Sequence, residues 1–504
     1  MSTKSLYKIL AVMMLAVMIL SACAPAATPA PTTAPAPTTA PKPTEAPKPT
    51  EAPKPTTAAA PTTAPAATIA PTTAPAAGPK ISGKLTVWCW KAAWTDAIVK
   101  SGALDAFKAQ YPDVQIDYVE TSAPDMYQKL PLALQAGTGA PDFACVETSH
   151  LSQFVALGGL ADLTTQVQPY VSQMLASKWP DAMLNGKYYA MPWDSGPVVT
   201  YYRRDVFEAA GLASDPDSVS KLVATWDDYL NVCKTIMQKT GYDCFANNKA
   251  NNFGRLYETM LWQQGLGYFN KDGKVTVDSP ENIATLETLK KFWDANLLSD
   301  QLEWTDGWYA ELAAGGTTPV ATVGPGTKVP PAVKPVATLV EASWMGAFLK
   351  SWIAPGTEGL WGVAQMPAMQ AGQARSSNNG GSNVVIPDQS KNKEAAWALT
   401  EWLLGRKDSQ VAIFKASDFF PSLTTTYSDP IFNEPDPFFA NQLTRQAYIA
   451  AAKIIPAGYV YGPNYSLMNG YVSTAIQKVA TGAASVKDAL TEAANAIRND
   501  TGMP

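Results

Sequence analysis

The sequence predicts an α/β fold large enough for two lobes. Three observations lead there. Residues 84–146 alternate strand, helix, strand, helix, strand. Residues 81–504 form a stretch of ordinary globular composition, longer than one core usually serves. A Pro/Thr/Ala tract ahead of them ends near Lys80, and marks where folding begins.

Lys84-Leu-Thr-Val-Trp-Cys-Trp90 follows Gly83 as a short β-rich run, so a buried strand is expected. A helix is expected over 95–110, with Ile98, Leu104 and Phe107 on its apolar side and Tyr111-Pro112-Asp113 as its stop. Val114 to Val119 alternates apolar and polar, a second strand. Asp125 to Ala136 reads as helix, Gly137 to Pro141 as a turn, and Asp142 to Val146 as a third strand. That order implies a parallel sheet with right-handed crossovers. Ligands of such sheets bind beyond the carboxyl ends of the strands, which places Trp90 and Glu147 at a candidate site by topology alone.

Further on, Gly186 to Pro197 reads as a hairpin turn into a strand, and Val198 to Phe207 as a strand entering a helix at Asp205. Helices are expected near 226–239, 253–264, 280–296, 394–404, 437–452 and 485–498. Asp272-Gly273 turns a hairpin, and Val336 to Val340 is a strand. Gly315 to Pro335 is rich in Gly, Pro and Thr and reads as an inserted loop. Trp304 and Trp308 sit in Glu303 to Trp308, a stretch without strong period that reads as loop.

The first 22 residues read as an export leader. Lys4 and Lys8 precede the apolar run Ile9 to Leu20, which is too short to span a bilayer. Leu20-Ser21-Ala22-Cys23 is a lipobox, which makes Cys23 the expected lipidated N-terminus, held by its acyl chains on the outer face of the cell membrane. Residues 23–80 then form a tether in which APTTAP and KPTEAP recur. Proline fixes φ and removes backbone donors, so no helix or ladder is expected there. Fully extended in a polyproline-like form, the tether would reach roughly 170 Å. No later apolar stretch is long enough to span a membrane.

The net charge is -5, and the leader removes two lysines and no acid, so the rest is more acidic still. That disfavours nucleic acid. His150 is the single histidine, which excludes most metal sites and histidine triads; no metal, cofactor or catalytic residue is expected. Four cysteines follow Cys23. Cys233 and Cys244, eleven apart across a helix end and turn, are the expected disulfide, whereas Cys89 and Cys145 either pair or serve as small buried apolar groups.

Taken together, several stretches resemble family 1 extracellular solute-binding proteins, the maltose-binding-protein-like group. They are Leu85-Thr-Val-Trp88, Gly139-Ala-Pro-Asp142, the Gly186 to Tyr202 block with Arg204-Asp205, and Trp226-Asp-Asp-Tyr229. Ala342-Ser-Trp-Met345, Trp361 to Pro367 and Asn379-Gly-Gly-Ser-Asn383 followed by Val384 to Pro387 complete them. The resemblance implies a type II periplasmic-binding-protein fold, two lobes joined by three hinge crossings, with ligand in the cleft. Mapped by motif, the crossings fall near Asp194 to Val199, Ala364 to Pro367 and Phe420 to Leu423. One lobe is then 81–195 plus 367–421, the other 196–366 plus 422–504. It also implies a monomer that is not an enzyme, and that hands a sugar to the permease subunits of an ABC importer.

Sugars present apolar C–H faces and many hydroxyls, so aromatic rings beside carboxylates and amides suit them. The chain has 15 tryptophans, most of them expected in the core. Trp90, Glu147 and Ser149 are candidates at strand ends, with His150 in the same turn. Asp194 and Trp193 lie at the first crossing, where the resemblance implies a carboxylate facing the cleft. Trp344 matches a position that stacks on sugar in the resembled family. Trp304, the bare amides around Gly381, and Asn464 complete the set. Two other functions compete: a binding protein for polyamine or another small polar solute, and a secreted glycosidase using Glu147 and Asp194.

Overall fold

The computed structural model describes residues 80–246, 253–316, 334–456 and 459–504. The leader, Cys23, the Pro/Thr/Ala tract and most of the 315–335 insert lie outside the described residues. Two sheets organise the rest. The first has the order β2-β1-β3-β10-β6, built from β1 (Gly83–Cys89), β2 (Val114–Glu120), β3 (Phe143–Glu147), β6 (Ala190–Pro192) and β10 (Ser382–Val385). A small hairpin, β4 (Met183–Leu184) with β5 (Lys187–Tyr188), precedes β6. The second sheet has the order β8-β7-β9, from β7 (Val198–Arg203), β8 (Thr338–Ala342) and β9 (Trp361–Gln365).

β1, β2 and β3 run parallel, as the alternation of strands and helices requires. β10 breaks the expectation of a purely parallel sheet: it comes from far downstream in the chain and inserts antiparallel to both β3 and β6. Leu85, Val87 and Cys89 point into the core on alternate positions of β1, whereas β3, covered on both faces, buries Phe143 to Val146 without a break.

In β7 the alternation serves two cores. Val198 and Tyr202 face one, Val199 and Tyr201 the other. The first sheet has its own core around Leu85, Phe143 and Ile386. Arg203, at the end of β7, is fully buried and survives there because Asp205 takes it in a two-point contact at 2.8 and 2.7 Å while Ala314 O accepts a third bond. Disulfides join Cys89 to Cys145, and Cys233 to Cys244. The first ties β1 to β3 just behind Trp90 and Glu147.

Three expected elements differ. The 95–110 helix is two pieces, a wide π-type turn over Ala92–Val99 and an α-helix over Ala103–Gln110. Gly102, at φ 77°, breaks the run, because a left-handed residue cannot continue a right-handed helix. The 437–452 helix begins only at Thr444, since Ala440 and Asn441 both take positive φ. Trp308 lies in a helix, Asp306–Ala313, rather than in loop.

The chain passes between the sheets three times, and the passages lie side by side. Asp194 bridges to Pro421, and Ser195 N donates to Phe420 O. Pro197 bridges to Asn378, and Asn379 N donates to Gly196 O. Gly196 and Gly381 make this packing possible. A methyl group on Gly196 would overlap the Asn379 carbonyl. On Gly381, at φ 90°, it would come within 2.7 Å of Asp194 O and 2.8 Å of the Lys178 ammonium. Lys178 is buried beneath these passages and donates to Thr148 Oγ1 at 2.6 Å; Thr148 in turn donates to Gly381 O at 2.8 Å. Burial pulls the Lys178 pKa down to about 8, against the opposing pull of Asp194, Asp181 and Glu147.

Two outcomes follow from this packing. Gly196→Ala should lower stability by about 1–3 kcal/mol, read by urea unfolding. The second concerns Lys178: between about pH 8 and 10.5 the unfolded chain keeps the lysine proton and the folded one releases it, so stability contributed at this site rises with pH. Relative to Lys178→Met, the natural protein should therefore gain about 2 kcal/mol between pH 7.5 and 9.5. A difference that stays flat across that range would contradict the assignment.

Candidate functional site

Glu147 closes β3 and stands immediately before the helix Thr148–Leu157. Its Oε2 accepts from Ser149 Oγ at 2.8 Å and from the Tyr127 hydroxyl at 3.4 Å. His150 Nδ1 lies 3.9 Å from the same oxygen, and the His150 ring stacks flat on Tyr127 with centroids 3.6 Å apart. Burial lowers the His150 pKa, so the imidazole is neutral at pH 7. Burial, and then Glu147, raise that of Tyr127, which keeps the phenol a donor.

The other side comes from elements that flank the second sheet. Arg255, on the helix Phe253–Trp262, places Nη1 3.9 Å from Glu147 Oε1 and donates to Asn379 Oδ1 at 2.6 Å. Asn379 Nδ2 donates to Glu341 Oε1 at 2.5 Å, and Asn379 O accepts from Trp344 Nε1 at 3.0 Å. A polar chain thus runs from the end of β3 through Arg255 and the crossing segment to the end of β8. Below Arg255, Glu258 is buried and accepts from Tyr268 and Tyr465 at 2.6 and 3.0 Å; its burial pushes its pKa up to about 7.

Aromatic rings form the flank. Trp344 is half-buried; Trp304 stacks over it at 6.0 Å and 27°, and Phe348 lies 5.4 Å away. Trp304 is 41% exposed and held at φ 63°, a left-handed backbone unusual for a bulky residue. The arrangement offers ring faces beside a carboxylate, a guanidinium, a phenol and an amide. It can grip a polar, hydroxyl-bearing molecule, and among the described residues no group of three or more metal-binding side chains exists.

Of the residues singled out from sequence, Glu147, Ser149 and Trp344 fall into this cluster, and Trp304 stacks on its edge. Trp90 lies half-buried just past β1, against the first core. Four others make contacts elsewhere. Trp193 is only 1% exposed, packed into the first core and edge-on to Phe419, so its ring is not open to a ligand. Asp194 is buried; its Oδ1 accepts from Ser382 N at 2.7 Å, and burial raises its pKa against the pull of Lys178. Gly381 gives its carbonyl to Thr148 and its space to the crossing. Asn464 turns its amide toward Met503, 3.8 Å from the sulfur. Sequence reasoning missed Tyr127, Arg255, Asn379 and Glu341. The one available signal was Arg255, a charge set beside Leu256, Tyr257 and Met260 in a mostly apolar helix whose other charge is Glu258.

Residues 91–410 match the family of bacterial extracellular solute-binding proteins. The chain is 27% identical over 402 residues to a lactose-binding protein of Rhizobium radiobacter, covering 78% of this chain and 87% of that one. It is 25% identical over 373 residues to an arabinooligosaccharide-binding protein of Halalkalibacterium halodurans, covering 72% and 77%. Among solved structures, the binding protein of an ABC transporter from B. animalis subsp. lactis, in complex with β-1,6-galactobiose, superposes with a TM-score of 0.66 at 22% identity, over 83% of this chain and 97% of that one. A family 1 extracellular solute-binding protein superposes with a TM-score of 0.68 at 22% identity, over 82% and 99%. Two sheets, three adjacent crossings and a polar cluster between them are the architecture of a type II periplasmic binding protein, and this chain belongs to the bacterial extracellular solute-binding proteins.

Proposed function

We propose that this protein captures a sugar, as a mono- or oligosaccharide, between its two lobes and delivers it to an ABC importer. The observation that carries the reading is the meeting of Glu147 and Arg255 from opposite sides at 3.9 Å, beside the half-buried ring of Trp344. A sugar needs that combination. The Trp344 face takes C–H groups, and the carboxylate, guanidinium and Tyr127 hydroxyl bracket hydroxyls. The sugars in the names of its relatives, lactose and arabinooligosaccharides, support the same class.

Closure follows from where the groups stand. Residues 81–195 with 367–421 make one lobe and 196–366 with 422–504 the other, turning about the three crossings. A ligand touching Glu147 on one lobe and Arg255 or Trp344 on the other binds the closed form better, and shifts the population toward it. The lipobox ending at Cys23 supports a lipid anchor on the extracytoplasmic face of the cell membrane, with the Pro/Thr/Ala tract as tether and a monomer as the working unit. Among the described residues no helix is long and apolar enough to cross a membrane.

The competing readings meet specific obstacles. A polyamine would have to approach the Arg255 guanidinium, a like charge. A glycosidase built on Glu147 and Asp194 would need Asp194 open to substrate, yet its carboxylate is buried and bonded to Ser382 N.

Trp344→Ala should weaken binding of the cognate saccharide by roughly tenfold or more in calorimetry; unchanged affinity would remove this site. A thermal-shift panel of lactose, arabinotriose, galactobiose and maltotriose against putrescine and spermidine should raise the melting temperature only with a saccharide. A rise with a polyamine alone would overturn the ligand class.

A further inference from the structure

A cavity of about 490 Å³ opens between the helical turn after β1 and the helix that starts at Trp344. Lys91, Asp96 and Lys100 line one wall, Phe348, Lys350 and Trp352 the other, and Lys415 to Phe419 close the end. Its volume is in the usual range for small-molecule sites. The aromatic rings connect it to the candidate site: Phe348 stands 5.4 Å from Trp344 and 5.7 Å from Trp352.

Its charge is unlike that of the chain. Asp96 is shared by two ammonium groups, Lys91 at 2.7 Å and Lys100 at 2.8 Å, so one positive charge is left over. Lys350 lies between Asp418 and Asp436, and Arg445 reaches Asp418 at 3.5 Å, so that group is balanced. The Lys415 side chain has no hydrogen bond or ion pair among the described residues. The lining thus carries an excess of positive charge in a protein of net charge -5. An anion placed there can take charge-assisted hydrogen bonds from lining lysines, of which Lys91 and Lys100 share one carboxylate. The rings of Phe348 and Trp352 offer an apolar surface for whatever carries that anion.

We propose that this cavity is a second subsite, which takes the carboxylate-bearing unit of an acidic oligosaccharide whose neighbouring neutral unit lies at Trp344. The inference rests on the sugar-binding reading and narrows it to elongated, uronate-bearing ligands. Because the walls come from both sides of the cleft, the acidic unit adds to closure.

The test is calorimetry with paired probes at low and high sodium chloride. Xylobiose and cellobiose are compared with glucuronosyl-xylobiose and cellobiouronate, each of which keeps a neutral unit for Trp344. At least one acidic probe should bind roughly tenfold tighter than its neutral partner at low salt, and the advantage should shrink as salt screens it. The double variant Lys91→Gln with Lys415→Gln should lose that advantage while keeping the neutral affinity and the melting temperature. Equal binding of acidic and neutral probes, with the neutral affinity still sensitive to Trp344→Ala, overturns the subsite and leaves the sugar reading standing. An acidic advantage that survives the double variant also overturns it, since the anion would then be held elsewhere. If no probe of either series binds, both readings fall.

Discussion

Everything in this molecule depends on three backbone segments lying against one another between the two sheets. They approach so closely that Gly196 and Gly381 have no room for a side chain. Beneath them a buried lysine, Lys178, holds Thr148, which in turn holds the Gly381 carbonyl. Burying a cation is costly unless its donors are used. Here the expense fixes the position of β10 next to β3, and hence where Asn379 stands. From that one placement the site follows. Asn379 accepts from Arg255 and Trp344 and donates to Glu341, and Arg255 then reaches Glu147.

The site is consequently a shared construction. Glu147, Ser149 and Tyr127 belong to the first sheet and its helices; Arg255, Glu341 and Trp344 belong to elements around the second. Neither half offers a complete set of partners. Buried ionisable groups that lack full solvation are instead solvated by each other, as with Glu258 beneath its two tyrosines. Such an arrangement favours a ligand that supplies hydroxyls to both halves at once, because those hydroxyls replace contacts that the open form would lose to water. Trp304, exposed and held in left-handed backbone, rests on the Trp344 ring where the cleft meets solvent.

The fold was largely legible in the chain, and the reasons are local. Alternating apolar residues in β1, the unbroken apolar run of β3 and the capped helix at Trp226 each state their element within a few residues. Reading failed where a single residue changed the backbone. Gly102 split one helix, and Ala440 with Asn441 delayed another. In the site, Glu147 and Trp344 were legible because strand ends and family motifs mark them. Arg255 was not, since its partners Glu147 and Asn379 both lie more than a hundred residues away in sequence, and the role of Asn379 depends on that same distant contact.

Trp193 and Asp194 show the division most clearly. The family resemblance puts them at the first crossing, and Asp194 pairs with Pro421 there. Whether a junction residue faces ligand or core is a matter of packing. Here the Trp193 ring fills the first core, and the buried Asp194 carboxylate takes Ser382 N on Oδ1. The sequence by itself determined the α/β class, the parallel start of the first sheet and the family, because periodicity and motif order are short-range properties. Tertiary structure alone decided the antiparallel insertion of β10, the pairing of Cys89 with Cys145 and the meeting of Glu147 with Arg255, because each depends on which distant segments come to lie side by side.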